Sequence, residues 1–404
     1  MAAHRSTRAH LAVVDAAEVG RLLAALTDAL EGAGPPVFPR PVPAGTPRLT
    51  PYEPADAPID GTAAVVLTSG STGEPKVAML TAAAMRASAT ATLERLGGPG
   101  RWLLSLPTSS VAGLQVLTRS ILAGTRPEVV APTMPPAEVA PAVERLTADP
   151  DTTRGYAALV PTQLRRLLDD PLTRDALASL DGVLVGGGPT ADGLAARARS
   201  AGLTVYLTYG MTETCGGCVY DGRPLTGVAV SVRADARIRL GGSTVFAGYL
   251  GRPDLTATVL DDGWFTTSDL GVLADDGTLR VTGRSDDVVV SGGVNVPLPL
   301  VTARLQEHPD VADAACVGTP DSDWGTAVVA FVVLQVPPRA RSEAADGVAP
   351  VGVAPDEDGL RRWVADTLGR TYAPRRVLGL ASIPLLPNGK PDRDWLVRLA
   401  GRDS

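Results

Sequence analysis

Apolar positions at helical spacing open the chain. Leu11, Val19, Leu22, Leu23, Leu26 and Leu30 share one broad face, which predicts a helix over residues 11–31. A proline-rich connector follows at 35–54. From residue 62 the pattern becomes an alternation of short apolar runs and longer amphipathic stretches. The runs at 62–68, 102–106, 128–131, 156–160, 182–185 and 204–207 predict strands. The stretches at 81–96, 111–123 and 136–146, and those between the later runs, predict helices. Strand and helix in alternation predict an α/β fold of mostly parallel sheet covered by helices, with ligands received at the carboxyl ends of strands. Beyond about residue 225 the runs shorten and Gly and Asp turns separate them, as in Asp275-Asp276-Gly277. A small, barrel-like antiparallel segment is expected over 225–285. A small α+β domain is expected over 286–404, with helices at 299–306 and 357–368 and strands near 314–318 and 327–334. Residues 336–356, rich in Pro, Ala, Asp and Glu, read as a mobile surface loop inside it. The expected domains are therefore 1–285 and 286–404.

Composition narrows the partners. A hydrophobic content of 45% suffices for ordinary cores, and aromatics at 4% are too few for base-stacking platforms. A net charge of −7 argues against a nucleic-acid surface. No run reaches the roughly 18–20 apolar residues of a membrane span, so no membrane insertion is expected. The basic stretch at residues 1–10 lacks the apolar region of a signal peptide. Cys215 and Cys218 form a Cys-Gly-Gly-Cys pair, but Cys316 and the three histidines do not complete a zinc site around it. The odd, low cysteine count fits a reducing cytoplasm. Oligomeric state stays open, a homodimer included.

Of 37 lysines and arginines only two, Lys76 and Lys390, are lysines. Lysine carries a compact ammonium on a flexible stem, arginine a planar fork. Both lysines stand in loop-like motifs. The first is Thr68-Ser69-Gly70-Ser71-Thr72-Gly73-Glu74-Pro75-Lys76. Its glycines let the backbone approach oxygens closely, and its N–H groups and hydroxyls suit phosphate. It is not a Walker loop, because no Gly-Lys-Ser/Thr step is present. The second is Leu386-Pro387-Asn388-Gly389-Lys390-Pro391.

The first run resembles the phosphate-binding loop of the adenylate-forming superfamily, which includes acyl-CoA ligases and adenylation domains. Further matches follow in the family's order. Gly186-Gly187-Gly188-Pro189 resembles its adenine and acyl-pocket loop. Tyr209-Gly210-Met211-Thr212-Glu213-Thr214 is similar to its aromatic-Gly-x-Thr-Glu signature. The resemblance implies that Tyr209 stacks on adenine, Thr212 contacts the α-phosphate and Glu213 holds Mg²⁺. It implies a ribose contact for Asp269, in Trp264-Phe265-Thr266-Thr267-Ser268-Asp269. In Gly283-Arg284-Ser285-Asp286-Asp287 it implies a ribose contact for Arg284 and a hinge at Asp286. Gly292 and Gly293 match the loop used in the thioester step. Lys390 matches the lysine that serves adenylation, and rotation about Asp286 would present the two in turn. Residues 113–120 and 210–222 look like the short o-succinylbenzoate–CoA ligases of menaquinone synthesis. The resemblance makes Ser109, Ser110, Gly113, Arg119 and Gly186 candidates for the acyl pocket.

Three departures stand out. Thr108-Ser109-Ser110 replaces an aromatic gate, Ser268 replaces a glycine, and residues 296–302 lack a usual glutamate. The resemblance implies ATP, Mg²⁺ and CoA, a small carboxylic acid substrate and no histidine base. Another acyl- or aryl-CoA ligase, a stand-alone adenylation domain and a non-catalytic nucleotide binder remain the alternatives.

Overall fold

The structure, a computed structural model, describes residues 11–40, 58–68, 76–148, 154–190, 192–335, 352–353, 356–385 and 391–401. The chain divides into two compact units, residues 1–267 with 271–280, and residues 268–270 with 281–404. Mixed α/β architecture holds in both, as the alternating pattern predicts.

The first unit opens differently from the expected helix. Ala12–Asp15 is a strand paired in parallel with Val37–Arg40, a second strand inside the proline-rich connector. The Asp15 side chain accepts a hydrogen bond from Ala17 N at 2.9 Å and turns the chain, and the helix begins only at Val19. Pro39 is tolerated because pairing with the next strand, Thr62–Thr68, touches only Val37. Lys76–Thr81, which the apolar pattern leaves unassigned, returns antiparallel to Thr62–Thr68 with Thr68 opposite Lys76. Gly248–Tyr249 completes this five-stranded sheet.

The second sheet runs in the order Arg223–Pro224, Gly216–Tyr220, Val205–Met211, Gly182–Val185, Gly155–Leu159, Arg101–Leu104, Glu128–Val129. Its last five strands are parallel, so both faces must be covered. Side chains alternate between two cores accordingly. Trp102, Leu104, Tyr156, Ala158 and Leu184 join the core of the first three helices. Leu103, Ala157, Leu159, Val183 and Val185 join that of the next four. A small antiparallel sheet of Val228–Val232, Arg237–Gly242, Trp264–Leu273 and Leu260–Asp261 follows, and Leu279–Arg284 pairs with Trp264–Leu273.

In the second unit, Val311–Asp321 and Gly325–Leu334 form a long hairpin. Val328, Ala330 and Val332 face the helices Leu298–Gln306 and Glu357–Leu368, while Val329 and Phe331 face Arg393–Ala400. Most of the expected 336–356 loop lies outside the described residues. Within it, Gly352–Val353 pairs with Arg376–Gly379. Among the described residues no helix is long and apolar enough to cross a membrane.

The three cysteines are free and buried. Burial pushes the Cys218 and Cys316 thiols up from about 9 to about 12, and Cys215 upward as well. Such thiols stay protonated in the fold but ionise near pH 8.5 to 9 once unfolded. The stability they contribute is intact below that pH and falls as pH rises toward 12. Urea unfolding between pH 8 and 11 is expected to show a decline approaching about 1.4 kcal/mol per pH unit for each thiol. Replacing Cys218 and Cys316 by Ala should make the decline shallower, leaving the share of Cys215, and an unchanged slope would contradict this account.

Candidate active site

The strand Val205–Met211 carries Tyr209 and Gly210 to the carboxyl edge of the parallel sheet and runs into the single turn Thr212–Thr214. Thr214 holds that turn. Its buried hydroxyl accepts from Met211 N at 3.0 Å and donates to Gly216 O at 2.8 Å. Cys215, at φ 51°, closes it, and Gly216–Tyr220 returns antiparallel. A Cβ on Gly210 would lie 2.1 Å from Gly216 O and 2.6 Å from Gly217 Cα. In the neighbouring strand Val185 stands beside Leu207, so Gly186-Gly187-Gly188 leaves the sheet next to Tyr209. A Cβ on Gly186 would lie 2.2 Å from Thr208 Oγ1, and Gly187 has φ 80°. Two motifs far apart in the chain thus meet at one edge, and each meeting excludes a side chain.

The first sheet brings a third motif to Glu213. Tyr249 lies opposite Ala78 in the ladder and therefore diagonal to Lys76, on the same face. Its hydroxyl donates to Glu213 Oε1 at 2.7 Å. The Lys76 ammonium lies 5.5 Å from the centre of its ring. The Glu213 carbonyl accepts from Phe246 N at 2.9 Å. Burial first, and then the Glu213 charge, push the Tyr249 phenol upward, so it remains a proton donor. No sequence motif marked Tyr249. Its importance follows from a pairing between segments far apart in the chain. Ser69, Gly70, Ser71, Thr72 and Gly73 lie outside the described residues. Thr68, the residue before them, donates its hydroxyl to Lys76 O at 3.3 Å.

In the second unit Asp269 is buried and accepts from Arg284 Nη1 at 2.8 Å. Ser285 donates to Ser268 O at 3.0 Å. Asp287, also buried, pairs with Arg393. Gly292 and Gly293 have φ 56° and 78°. A Cβ on Gly292 would lie 2.5 Å from the Trp324 ring. The Asp286 side chain and Lys390 lie outside the described residues.

The AMP-binding enzyme profile matches residues 3–262, and the profile of that family's C-terminal domain matches residues 301–390. This chain belongs to the AMP-binding enzyme family. It is 45% identical over 343 residues to the probable 2-succinylbenzoate–CoA ligase of Mycobacterium tuberculosis, covering 84% of this chain and 85% of that protein. It is 32% identical over 299 residues to the 2-succinylbenzoate–CoA ligase of Bacillus velezensis, covering 68% and 60%. Among solved structures, the amide bond synthetase McbA of Marinactinospora thermotolerans superposes with a TM-score of 0.72 at 30% identity, covering 96% of this chain and 80% of McbA. The o-succinylbenzoate CoA synthetase MenE of Bacillus subtilis, bound to ATP and a magnesium ion, superposes at 0.68 and 25% identity, covering 93% and 82%.

For this AMP-binding enzyme the fit of Mg²⁺ is readable from the donors. Magnesium takes oxygen ligands, with one or two carboxylates and substrate phosphates sufficing. Glu213 is half-buried, and no described residue hydrogen-bonds its Oε2. The adjacent Thr212 offers a hydroxyl, so the residues fit the ion.

Of the acyl-pocket candidates, Ser109, Ser110 and Gly113 come together at the start of one helix, and Arg119 lies apart from them. Ser110 caps the helix Val111–Leu122, accepting from Gly113 N at 3.3 Å and donating to Pro107 O at 2.7 Å. Gly113 lets that helix approach the loop, since a Cβ would lie 2.3 Å from Pro107 O. Ser109 is half-buried beside it. Arg119 lies about 13 Å further along the helix axis. It is buried in the core with its guanidinium 4.4 Å from the Trp102 ring centre, and burial lowers its pKa.

Gly210→Ala is expected to force apart the strands 205–211 and 216–220, because the clashing atoms are backbone. A loss of about 2–3 kcal/mol in urea unfolding is expected, with a weakened nucleotide affinity. Wild-type values for both would refute the close-approach constraint.

Proposed function

We propose that this AMP-binding enzyme is an ATP-dependent acid–CoA ligase that converts o-succinylbenzoate (2-succinylbenzoate) into its CoA thioester in menaquinone biosynthesis. The observation that carries an ATP-using reaction is the meeting of Lys76 and Glu213 on Tyr249, at the strand edge that also presents Tyr209 and Gly186-Gly187-Gly188. The choice of acid is supported by the 45% identical mycobacterial relative.

In this reading the substrate carboxylate, already ionised at neutral pH, attacks the α-phosphorus of ATP and pyrophosphate leaves. The reaction needs charge neutralisation and in-line positioning more than proton transfer. Mg²⁺, when bound, neutralises phosphate charge. Tyr209 stacks on adenine against Gly187 and Gly188, and Asp269 and Arg284 hold the ribose. Thr212, the amides of residues 69–73 and Lys76 bind phosphate oxygens, while Lys390 serves the α-phosphate and the carboxylate. The CoA thiol then attacks the acyl-adenylate carbonyl and AMP leaves, a step assigned to the Gly292-Gly293 loop after rotation about Asp286. Gly186, Ser109, Ser110 and Gly113 remain the acyl-pocket candidates, while Arg119, buried against Trp102, sits apart from the serines. In this reading, with ATP and CoA as substrates, the enzyme works in the cytoplasm.

Mixing protein, ATP, Mg²⁺, CoA and o-succinylbenzoate is expected to yield the CoA thioester by mass spectrometry. Pyrophosphate release without thioester would point to another acceptor, such as a carrier protein, or an amine as the likeness to McbA suggests. No release with any aryl or fatty acid would leave only a nucleotide binder. Lys390→Ala is expected to slow acyl-adenylate formation about 100-fold or more, while supplied acyl-adenylate is still converted to thioester. Equal losses in both half-reactions would refute this division of labour.

A further inference from the structure

Lys76 and Glu213 both touch Tyr249, yet no ion pair joins them among the described residues. A lysine and a glutamate brought to one edge would ordinarily close into a salt bridge and cancel each other. Here both meet one phenol, the carboxylate at its hydroxyl and the ammonium over its ring. Tyr249 is 4% exposed, and its backbone is tied into the ladder beside Ala78 and to Thr256 Oγ1 at 2.9 Å. Phe246 packs edge-on against its ring at 5.0 Å, and Phe265 packs against Phe246 at 5.5 Å. With only two side-chain torsions, both held by packing, it is a rigid post. A phenol fixes a carboxylate by one hydrogen bond without neutralising it, which an arginine would do. The ring face meanwhile attracts an ammonium through its quadrupole. One residue therefore orients both charges and keeps them apart.

We propose that Tyr249 is a positioning residue for the metal–nucleotide complex, holding Glu213 by Oε1 so that Oε2 is left for the metal, and holding Lys76 on its ring face for phosphate. This rests on the reading above that Glu213 binds Mg²⁺ and Lys76 binds phosphate. It extends that reading to a residue outside the motifs, with separate contributions from the hydroxyl and the ring.

The two contributions separate in a binding experiment that needs no turnover. Mn²⁺ binding to the full-length protein in the presence of α,β-methylene-ATP is followed by electron paramagnetic resonance. Binding of the metal-free analogue is followed by calorimetry. Tyr249→Phe deletes one oxygen and keeps the ring; it is expected to weaken Mn²⁺ binding about tenfold, as loss of a group that orients a metal ligand does. It should leave metal-free analogue binding unchanged, whereas Tyr249→Leu should weaken both. On a Glu213→Gln background, Tyr249→Phe should add little further loss in Mn²⁺ affinity. Thermal unfolding of each variant verifies that the fold persists. Wild-type Mn²⁺ affinity in Tyr249→Phe, with the loss confined to Glu213→Gln, overturns the proposal and leaves the metal reading intact. So do losses that simply add in the double variant. Wild-type Mn²⁺ affinity in Glu213→Gln overturns the metal reading itself, and this proposal with it.

Discussion

The candidate site exists because chain segments come closer together at two glycines than a larger residue there permits. At Gly210 the returning strand places Gly216 O where a Cβ would be, and at Gly186 the Thr208 hydroxyl does the same. These approaches fix the register of three adjacent strand ends. Tyr209, the Thr212–Thr214 turn and Gly187-Gly188 take their places from that register. Thr214 locks the turn through its own hydroxyl, so Glu213 is presented by hydrogen bonding inside the turn and not by packing of its side chain. The site is thus a property of sheet geometry, with few side chains at its base.

The two units handle charge in different ways. In the second, Asp269 and Arg284 pair directly, and so do Asp287 and Arg393, with each carboxylate buried. A buried carboxylate needs such a partner, because desolvation without one costs several kcal/mol. In the first, Glu213 and Lys76 are half-buried, and both meet Tyr249, the carboxylate at its hydroxyl and the ammonium over its ring. The Asp287–Arg393 pair, which has no ligand role, holds structure. Charges held apart by a neutral donor and an aromatic face remain available to a ligand.

How much of this was legible depended on distance along the chain. Gly182–Val185 and Glu357–Leu368 fall where the apolar pattern places them, because a bounded apolar run and a well-capped amphipathic stretch are local signals. The first strand was hidden because Ala12–Asp15 is only four residues long and Leu11 extends the helical periodicity of Val19–Glu31. Lys76–Thr81 was hidden because it follows a glycine-rich run of sequence and leads directly into a helix. The motif residues of the site were legible as a family resemblance, but what joins them was not. Tyr249 reaches Glu213 across 36 residues of chain, and only the sheet pairing reveals it.

The same geometry gives a physical meaning to the scarcity of lysine. An arginine at position 76 would carry a planar fork able to grip the Glu213 carboxylate with two parallel hydrogen bonds. That pair would consume both charges. An ammonium has no such fork, and the ring face of Tyr249, 5.5 Å away, attracts it without taking up a hydrogen-bond acceptor. In a chain that otherwise uses arginine almost throughout, lysine at this position keeps Glu213 and the cation from extinguishing each other, and Tyr249 is the residue that makes the distinction count.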